Sequence, residues 1–136
     1  MKYKDDRRIG TGLDIHPLVK GEFLIVGGVK IPSRLKSHGH SDGDALIHSI
    51  VDSLLGALCL GDIGSNFPSD DKKWKNTEGK LFLSITFDRI KKNGWDIENI
   101  DSTVLLQTPK IIKFVPKIRH NLSKILAISV DKISVK

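Results

Sequence analysis

From Asp44 onward the hydrophobic residues settle into a single period, and that period dictates the first fixed element of the fold. Leu46, Ile47, Ile50, Val51, Leu54, Leu55 and Leu58 recur at three- and four-residue spacing, which gathers them on one side of an α-helix. Ser41 or Asp42 is placed to accept hydrogen bonds from the N–H groups of the first turn, and Gly61 to end the run. Before Asp44 the pattern is different. Arg8 to Asp14 alternates Ile9, Thr11 and Leu13 with glycines and the carboxylate, as a strand would, and Glu22 to Val26, Gly27-Gly28 and Val29-Lys30-Ile31 read as two short strands around a turn.

The remainder continues the alternation. A second helix is predicted from about Thr77 to Asn93, with Glu78 in its first turn, Lys91 and Lys92 in its last, Gly94 after it, and Leu81, Ile85 and Ile90 as its apolar face. Asp101 to Thr108 holds the β-favouring run Thr103-Val104-Leu105-Leu106 and stops at Pro109. Pro116 opens a helical pattern through Ile118, Leu122, Ile125 and Leu126, and Ile133 to Lys136 reads as a further strand. The expected fold is α/β (α+β), in two layers, with a mixed β-sheet covered on one side by helices.

Bulk properties narrow the function classes. With 136 residues, 39% apolar and 28% charged, residues 1–136 suit a single domain with an ordinary core. No apolar run approaches the roughly 18 residues of a membrane span, and Met1 to Arg8 lacks the apolar stretch of a secretory signal, so a soluble, intracellular (cytoplasmic) protein is expected, with no membrane partner. Cys59 is the single cysteine, which excludes an intramolecular disulfide, and its apolar surroundings predict burial. The net charge of +6 favours anionic ligands. Aromatic residues make up only 6%, too few for a base-stacking platform, so no nucleic-acid partner is expected. Lys72, Lys73, Lys75, Lys91 and Lys92 read as solvated surface, and Trp74 and Trp95 as packing residues.

Three clusters could carry chemistry. Asp14-Ile15-His16 places a carboxylate and an imidazole on one face of an extended segment, although such a pair alone is more often a turn carboxylate beside a surface histidine. Ser37-His38-Gly39-His40-Ser41-Asp42-Gly43-Asp44 leads into the helix that carries His48, and Asp44, His48 and Asp52 form a polar stripe along it. Asp14, His16 and His48 would make a three-ligand site for a borderline divalent ion, leaving a fourth position for a substrate oxygen. Asp52 either orients His48 or faces solvent. The third cluster, Leu60-Gly61-Asp62-Ile63-Gly64 followed by Phe67-Pro68-Ser69-Asp70-Asp71, is a turn or a ligand loop whose glycines admit a ligand close to the backbone.

In this order and at these spacings, Arg8 to His16, His40-Ser41-Asp42-Gly43-Asp44 with His48, Leu60 to Gly64, Phe67-Pro68 and Gln107-Thr108-Pro109-Lys110 resemble the 2-C-methyl-D-erythritol 2,4-cyclodiphosphate synthase family. The resemblance runs through Val135-Lys136 and implies a homotrimer with active sites between subunits. It implies a lyase of non-mevalonate isoprenoid synthesis acting on a small CDP-linked substrate: the 2-phosphate of 4-diphosphocytidyl-2-C-methyl-D-erythritol 2-phosphate attacks the β-phosphorus, closing the ring and expelling CMP. Zn²⁺ is expected at Asp14, His16 and His48, and Mg²⁺ or Mn²⁺ with the diphosphate.

By the same resemblance, His40 stabilises transition-state charge and His40 with Ser41 contacts phosphate. Substrate contacts are implied for Asp14, Ile15 and His16, for Asp62, Ile63 and Gly64, and for Phe67, Pro68, Ser69, Asp70 and Asp71. Leu106, Gln107, Thr108, Pro109, Lys110, Ile111 and Ile112 correspond to the cytosine pocket, while His38 is a loop residue. The family continues with a Thr-Thr-x-Glu segment, so 1–136 reads as a synthase domain with its C-terminal segment missing. A metal-dependent phosphohydrolase would use water on the same ligands and yield a linear phosphate. A non-catalytic nucleotide- or RNA-binding module would keep its affinity after chelation.

Overall fold

The computed structural model describes residues 6–39 and 41–136. Its central helix, α1 (Ala45–Ala57), buries Leu46, Ile47, Ile50, Val51 and Leu55, the stripe that the spacing predicts. The cap differs from expectation. Asp44, fully buried, accepts hydrogen bonds from Ile47 N at 3.0 Å and from Gly27 N at 3.0 Å, and Gly28 N also donates to it. One carboxylate therefore satisfies two turn amides and an orphan N–H of the helix, which fixes the hairpin to the helix start.

That hairpin is formed by β2 (Phe23–Val26) and β3 (Val29–Pro32), antiparallel, with Val26 opposite Val29. Gly27 and Gly28 both have positive φ, 58° and 72°, as a tight two-residue turn between twisted strands requires. β1 (Leu18–Lys20) pairs antiparallel with β4 (Leu35–Ser37). At its other end α1 stops before Gly61. Leu60 N donates to Leu55 O and Cys59 N to Gly56 O, a helix-ending pair of bonds made with Cys59 itself at φ 56°. Holding that end leaves Cys59 exposed, not buried as its neighbours suggest.

After the short α2 (Ile63–Asn66), α3 (Gly79–Lys92) packs against α1. Asp42, expected as a cap of α1, serves α3 as well: its Oδ2 accepts from Gly79 N at 2.9 Å while Oδ1 accepts from Asp44 N at 3.2 Å. The buried face of α3 is Phe82, Leu83, Thr86 and Ile90; Ile85 is partly buried, and Leu81, predicted to face inward, is exposed. β5 (Ile100–Ser102) lies parallel to β6 (Ile133–Val135), and α4 (Val115–Leu126), with Pro116 in its first turn, covers β6 with Ile118, Leu122 and Leu126.

The chain is thus mixed α/β, but among the described residues its strands form three two-stranded ladders instead of one mixed sheet. Two expected strands are shorter than their composition suggests. Arg8 to Asp14 joins no ladder among the described residues; the side that carries its glycines lies against α1, where a Cβ at Gly10 would sit 1.8 Å from Ser53 O and one at Gly12 1.9 Å from Ser49 O. The other side carries Ile9, Leu13 and Ile15, all exposed. In the Asp101–Thr108 stretch, pairing ends at Ser102 apart from one bond, Val104 N to Lys136 O at 2.7 Å, and Leu105 is exposed. No helix among the described residues is long and apolar enough to cross a membrane.

Candidate metal and substrate site

The contact between residues 10–12 and α1 positions the first site cluster. With Gly10 and Gly12 against Ser53 and Ser49, the same-face residues Asp14 and His16 arrive beside His48, the residue before Ser49 on α1. His16 Nδ1 is 3.0 Å and His48 Nδ1 3.2 Å from the same oxygen, Asp14 Oδ2. The two imidazole rings are 5.4 Å apart, and one donor atom from each of the three residues lies within 4.8 Å of the others. His16 Nδ1 is buried, yet the contact with Asp14 lacks hydrogen-bond geometry and the nitrogen has no other partner. Two nitrogens and a carboxylate oxygen converging on one point, one of them orphaned, suit a divalent cation held by N and O donors.

Burial holds the His48 pKa below the usual histidine range, against the opposing pull of Asp14, and so favours the neutral imidazole that can coordinate a metal. Its Nε2 is 3.3 Å from Ser41 Oγ, so one histidine joins the carboxylate cluster to the Ser41 loop. The polar stripe on α1 divides by role. Asp44 is structural, and Asp52 accepts from Ile63 N at 2.7 Å, which ties α2 to α1 without touching His48.

A cavity of about 840 Å³ opens beside His48. Of the expected substrate contacts, Ser41, Ile63, Gly64, Phe67, Pro68, Ser69 and Asp70 line it. Asp62 and Asp71 do not: each caps a short turn, Asp62 accepting from Ser65 N at 2.7 Å and Asp71 from Lys73 N at 2.9 Å. The bond from Ser65 also draws the Asp62 pKa down, since it favours the charged carboxylate. Asp14, Ile15 and His16 are not in the lining, and Ile15 points its side chain to solvent. None of Leu106 to Ile112 reaches the cavity; Leu106 and Ile111 pack on the core, Thr108-Pro109 is a cis bond, and Ile112 is exposed. His40 lies outside the described residues.

Sequence reasoning missed four wall residues: Lys72, Trp74, Lys75 and Phe82. Trp74 and Phe82 belong to a stack in which Phe67 is 5.0 Å from Trp74 and 4.8 Å from Phe82, and Phe82 is in turn 6.3 Å from the His48 ring. Spacing offered one clue, because Lys72 and Lys75 are three residues apart with an aromatic residue just before the second.

The YgbB family profile matches residues 7–136. The chain is 50% identical over 131 residues to the 2-C-methyl-D-erythritol 2,4-cyclodiphosphate synthase of Prochlorococcus marinus strain MIT 9215, covering 95% of this chain and 79% of that protein. It is 46% identical over 129 residues to the synthase of the same name from Treponema denticola, covering 95% and 80%. A solved 2C-methyl-D-erythritol-2,4-cyclodiphosphate synthase superposes with a TM-score of 0.90 at 34% identity, over 94% of this chain and 85% of that one. The Plasmodium falciparum IspF in complex with CDP gives 0.81 at 42%, over 95% and 79%. Similarity of this extent, in sequence and in backbone alike, makes the chain a member of the YgbB family.

Proposed function

We propose that this chain is a cyclodiphosphate synthase, a lyase of the non-mevalonate isoprenoid route that converts 4-diphosphocytidyl-2-C-methyl-D-erythritol 2-phosphate to 2-C-methyl-D-erythritol 2,4-cyclodiphosphate and CMP. The observation that carries this reading is the convergence of Asp14, His16 and His48 at one point, with His48 also in the wall of the large cavity. An oxygen of the 2-phosphate forms the new bond to the β-phosphorus, and the bond from that phosphorus to the CMP oxygen breaks, CMP leaving with the electron pair. No water enters. The reaction is intramolecular, so holding its ends in line can supply effective molarities on the order of 10⁵ M or more.

Asp14, His16 and His48 would hold a divalent cation, with Zn²⁺ the fitting choice for two imidazoles and a carboxylate; Mg²⁺ or Mn²⁺ would accompany the diphosphate. Such cations supply positive charge and fixed coordination positions for phosphate oxygens. The protein's own part is positional. Ser41, held near His48, offers a hydroxyl to phosphate, and Ile63, Gly64 and the Phe67–Asp70 loop enclose the methylerythritol. His40 takes the role of transition-state stabiliser by family resemblance.

The assembly we propose is a homotrimer, with residues 1–136 as one synthase domain. It is supported by the exposure of Ile9, Leu13, Ile15 and Leu105, a set that a monomer would leave in water. It also accounts for Leu106 to Ile112 lying away from this chain's cavity, since a cytosine pocket from that segment would then complete a neighbouring subunit's site. The bacterial cytoplasm is the proposed compartment, in keeping with the bacterial sources of these relatives. Asp14→Ala and His48→Ala should each abolish turnover and lose the bound metal by elemental analysis while keeping the far-ultraviolet circular dichroism of the parent. Near-normal turnover in either metal-free variant would overturn the assignment.

A further inference from the structure

The cavity beside His48 has a charge pattern that the expected site residues leave unexplained. Among the described residues lining it, the side chains of fixed charge are Asp70, Lys72 and Lys75. Its proposed substrate is far more negative: a phosphate monoester brings about 1.5 to 2 negative charges near neutral pH, and a diphosphate diester about 2 more. The cations that meet this charge on the protein side come from one turn.

That turn is built to deliver them. Lys72–Trp74 is a single 3₁₀ turn closed by Lys75 N donating to Lys72 O at 3.3 Å. In this geometry residues three apart eclipse, so Lys72 and Lys75 project along the same side. Both line the large cavity. Lys73, between them, lies elsewhere: its ammonium sits 4.4 Å from the Trp74 ring centroid, and it lines a separate cavity of about 270 Å³ with Thr86 and Arg89. Trp74 anchors the turn by packing edge-on against Phe67 and Phe82, and the Asp71 carboxylate caps it. The position of the pair is therefore held by packing behind it.

We propose that Lys72 and Lys75 are phosphate-binding residues of this site, two ammonium groups set by one turn against the phosphates of the substrate. The inference rests on the function proposed above. Compact ammonium groups suit this task, since each acts as a point charge to whichever phosphate oxygen lies nearest. Binding through them falls as salt rises, because their attraction is screened.

The test uses the metal-loaded protein and the variants Lys72→Gln, Lys75→Gln, the double variant and Lys73→Gln, with Lys75→Arg as a charge-keeping substitution. KM for the substrate is measured from low to high salt, and CDP binding is measured separately by calorimetry. Each cavity-facing glutamine should raise KM about tenfold and weaken CDP, equivalent to about 1.4 kcal/mol, and flatten the salt dependence. Lys75→Arg should recover most of the loss, and Lys73→Gln should stay within twofold. KM and CDP affinity within twofold of wild type in the double variant would overturn the proposal. Absence of cyclic product from the wild type would instead overturn the function, and the CDP titration would still decide the lysines.

Discussion

Replacing Gly12 by alanine should cost metal affinity before it costs the fold. A Cβ at this position would lie 1.9 Å from Ser49 O, 2.9 Å from Ser49 C and 3.0 Å from Ser53 N, all backbone atoms of α1 that cannot swing aside. Carbon–oxygen contacts of this kind settle near about 3.3 Å or beyond, so the segment must lift by roughly 1.4 Å. Asp14 is two residues further along, and its Oδ2 sits 3.0 and 3.2 Å from the two histidine nitrogens. Metal sites tolerate about 0.2 Å in their ligand distances, so a lift of that size removes the carboxylate from the ligand set. Even disturbance of a supporting group typically lowers metal affinity by about 10- to 100-fold, and a 1 Å misplacement can slow catalysis by about 100-fold.

The assay is competition for zinc against a chromophoric chelator, with thermal melts of the metal-free protein alongside. Gly12→Ala should bind at least about 100-fold more weakly while still giving a cooperative melt. Gly56→Ala supplies the contrast. It lies in α1 with its nearest neighbour, Thr11 O, 4.0 Å from the added carbon, so it should gain about 0.5 to 1 kcal/mol of stability and leave zinc affinity unchanged. Zinc affinity of Gly12→Ala within threefold of the parent would refute the reasoning, because it would mean that the packing of residues 10–12 does not set the position of Asp14.

Two further predictions concern the interior. Burial raises the Asp44 pKa from 3.8 to about 6, against hydrogen bonds from Ile47, Gly28 and Gly27 that favour the charged form. A carboxyl with a raised folded pKa contributes stability that is full below the unfolded value and is lost as pH rises through the folded one, here about 2 kcal/mol between pH 4 and 7. The stability difference between wild type and Asp44→Asn, from urea unfolding, should therefore move by that amount toward the variant over this range, and a flat difference would contradict it. Thr86 Oγ1 is buried without a partner, so Thr86→Val should raise stability by about 1 kcal/mol in the same assay, whereas a loss would mean the hydroxyl is satisfied.

The helices and the shared face of Asp14 and His16 were legible because each rests on a local pattern. The period of Leu46 to Leu55 and the two-residue spacing of Asp14 and His16 carry their geometry in the sequence itself. What was not legible depends on contacts distant in the chain. Asp44 reads as one carboxylate in a polar stripe until the Gly27-Gly28 amides are seen to donate to it. Arg8 to Asp14 has a strand's alternation, but a strand also needs a neighbour, and α1 occupies one side of it while the other is open. Lys72 and Lys75 look like any surface lysines until Trp74, packed edge-on against Phe67 and Phe82, fixes the side of the turn they occupy. Hydrophobicity alone places Leu81 inward, whereas the register of α3 is set by Gly79 against Asp42 and by Phe82 against Phe67.

The central claim, metal-dependent ring closure, is tested most directly by phosphorus NMR of the protein incubated with 4-diphosphocytidyl-2-C-methyl-D-erythritol 2-phosphate, zinc and magnesium, with a chelated sample in parallel. The account predicts the cyclic diphosphate and CMP in equal amounts, and neither in the chelated sample. A linear phosphate product, or turnover that survives chelation, would contradict it.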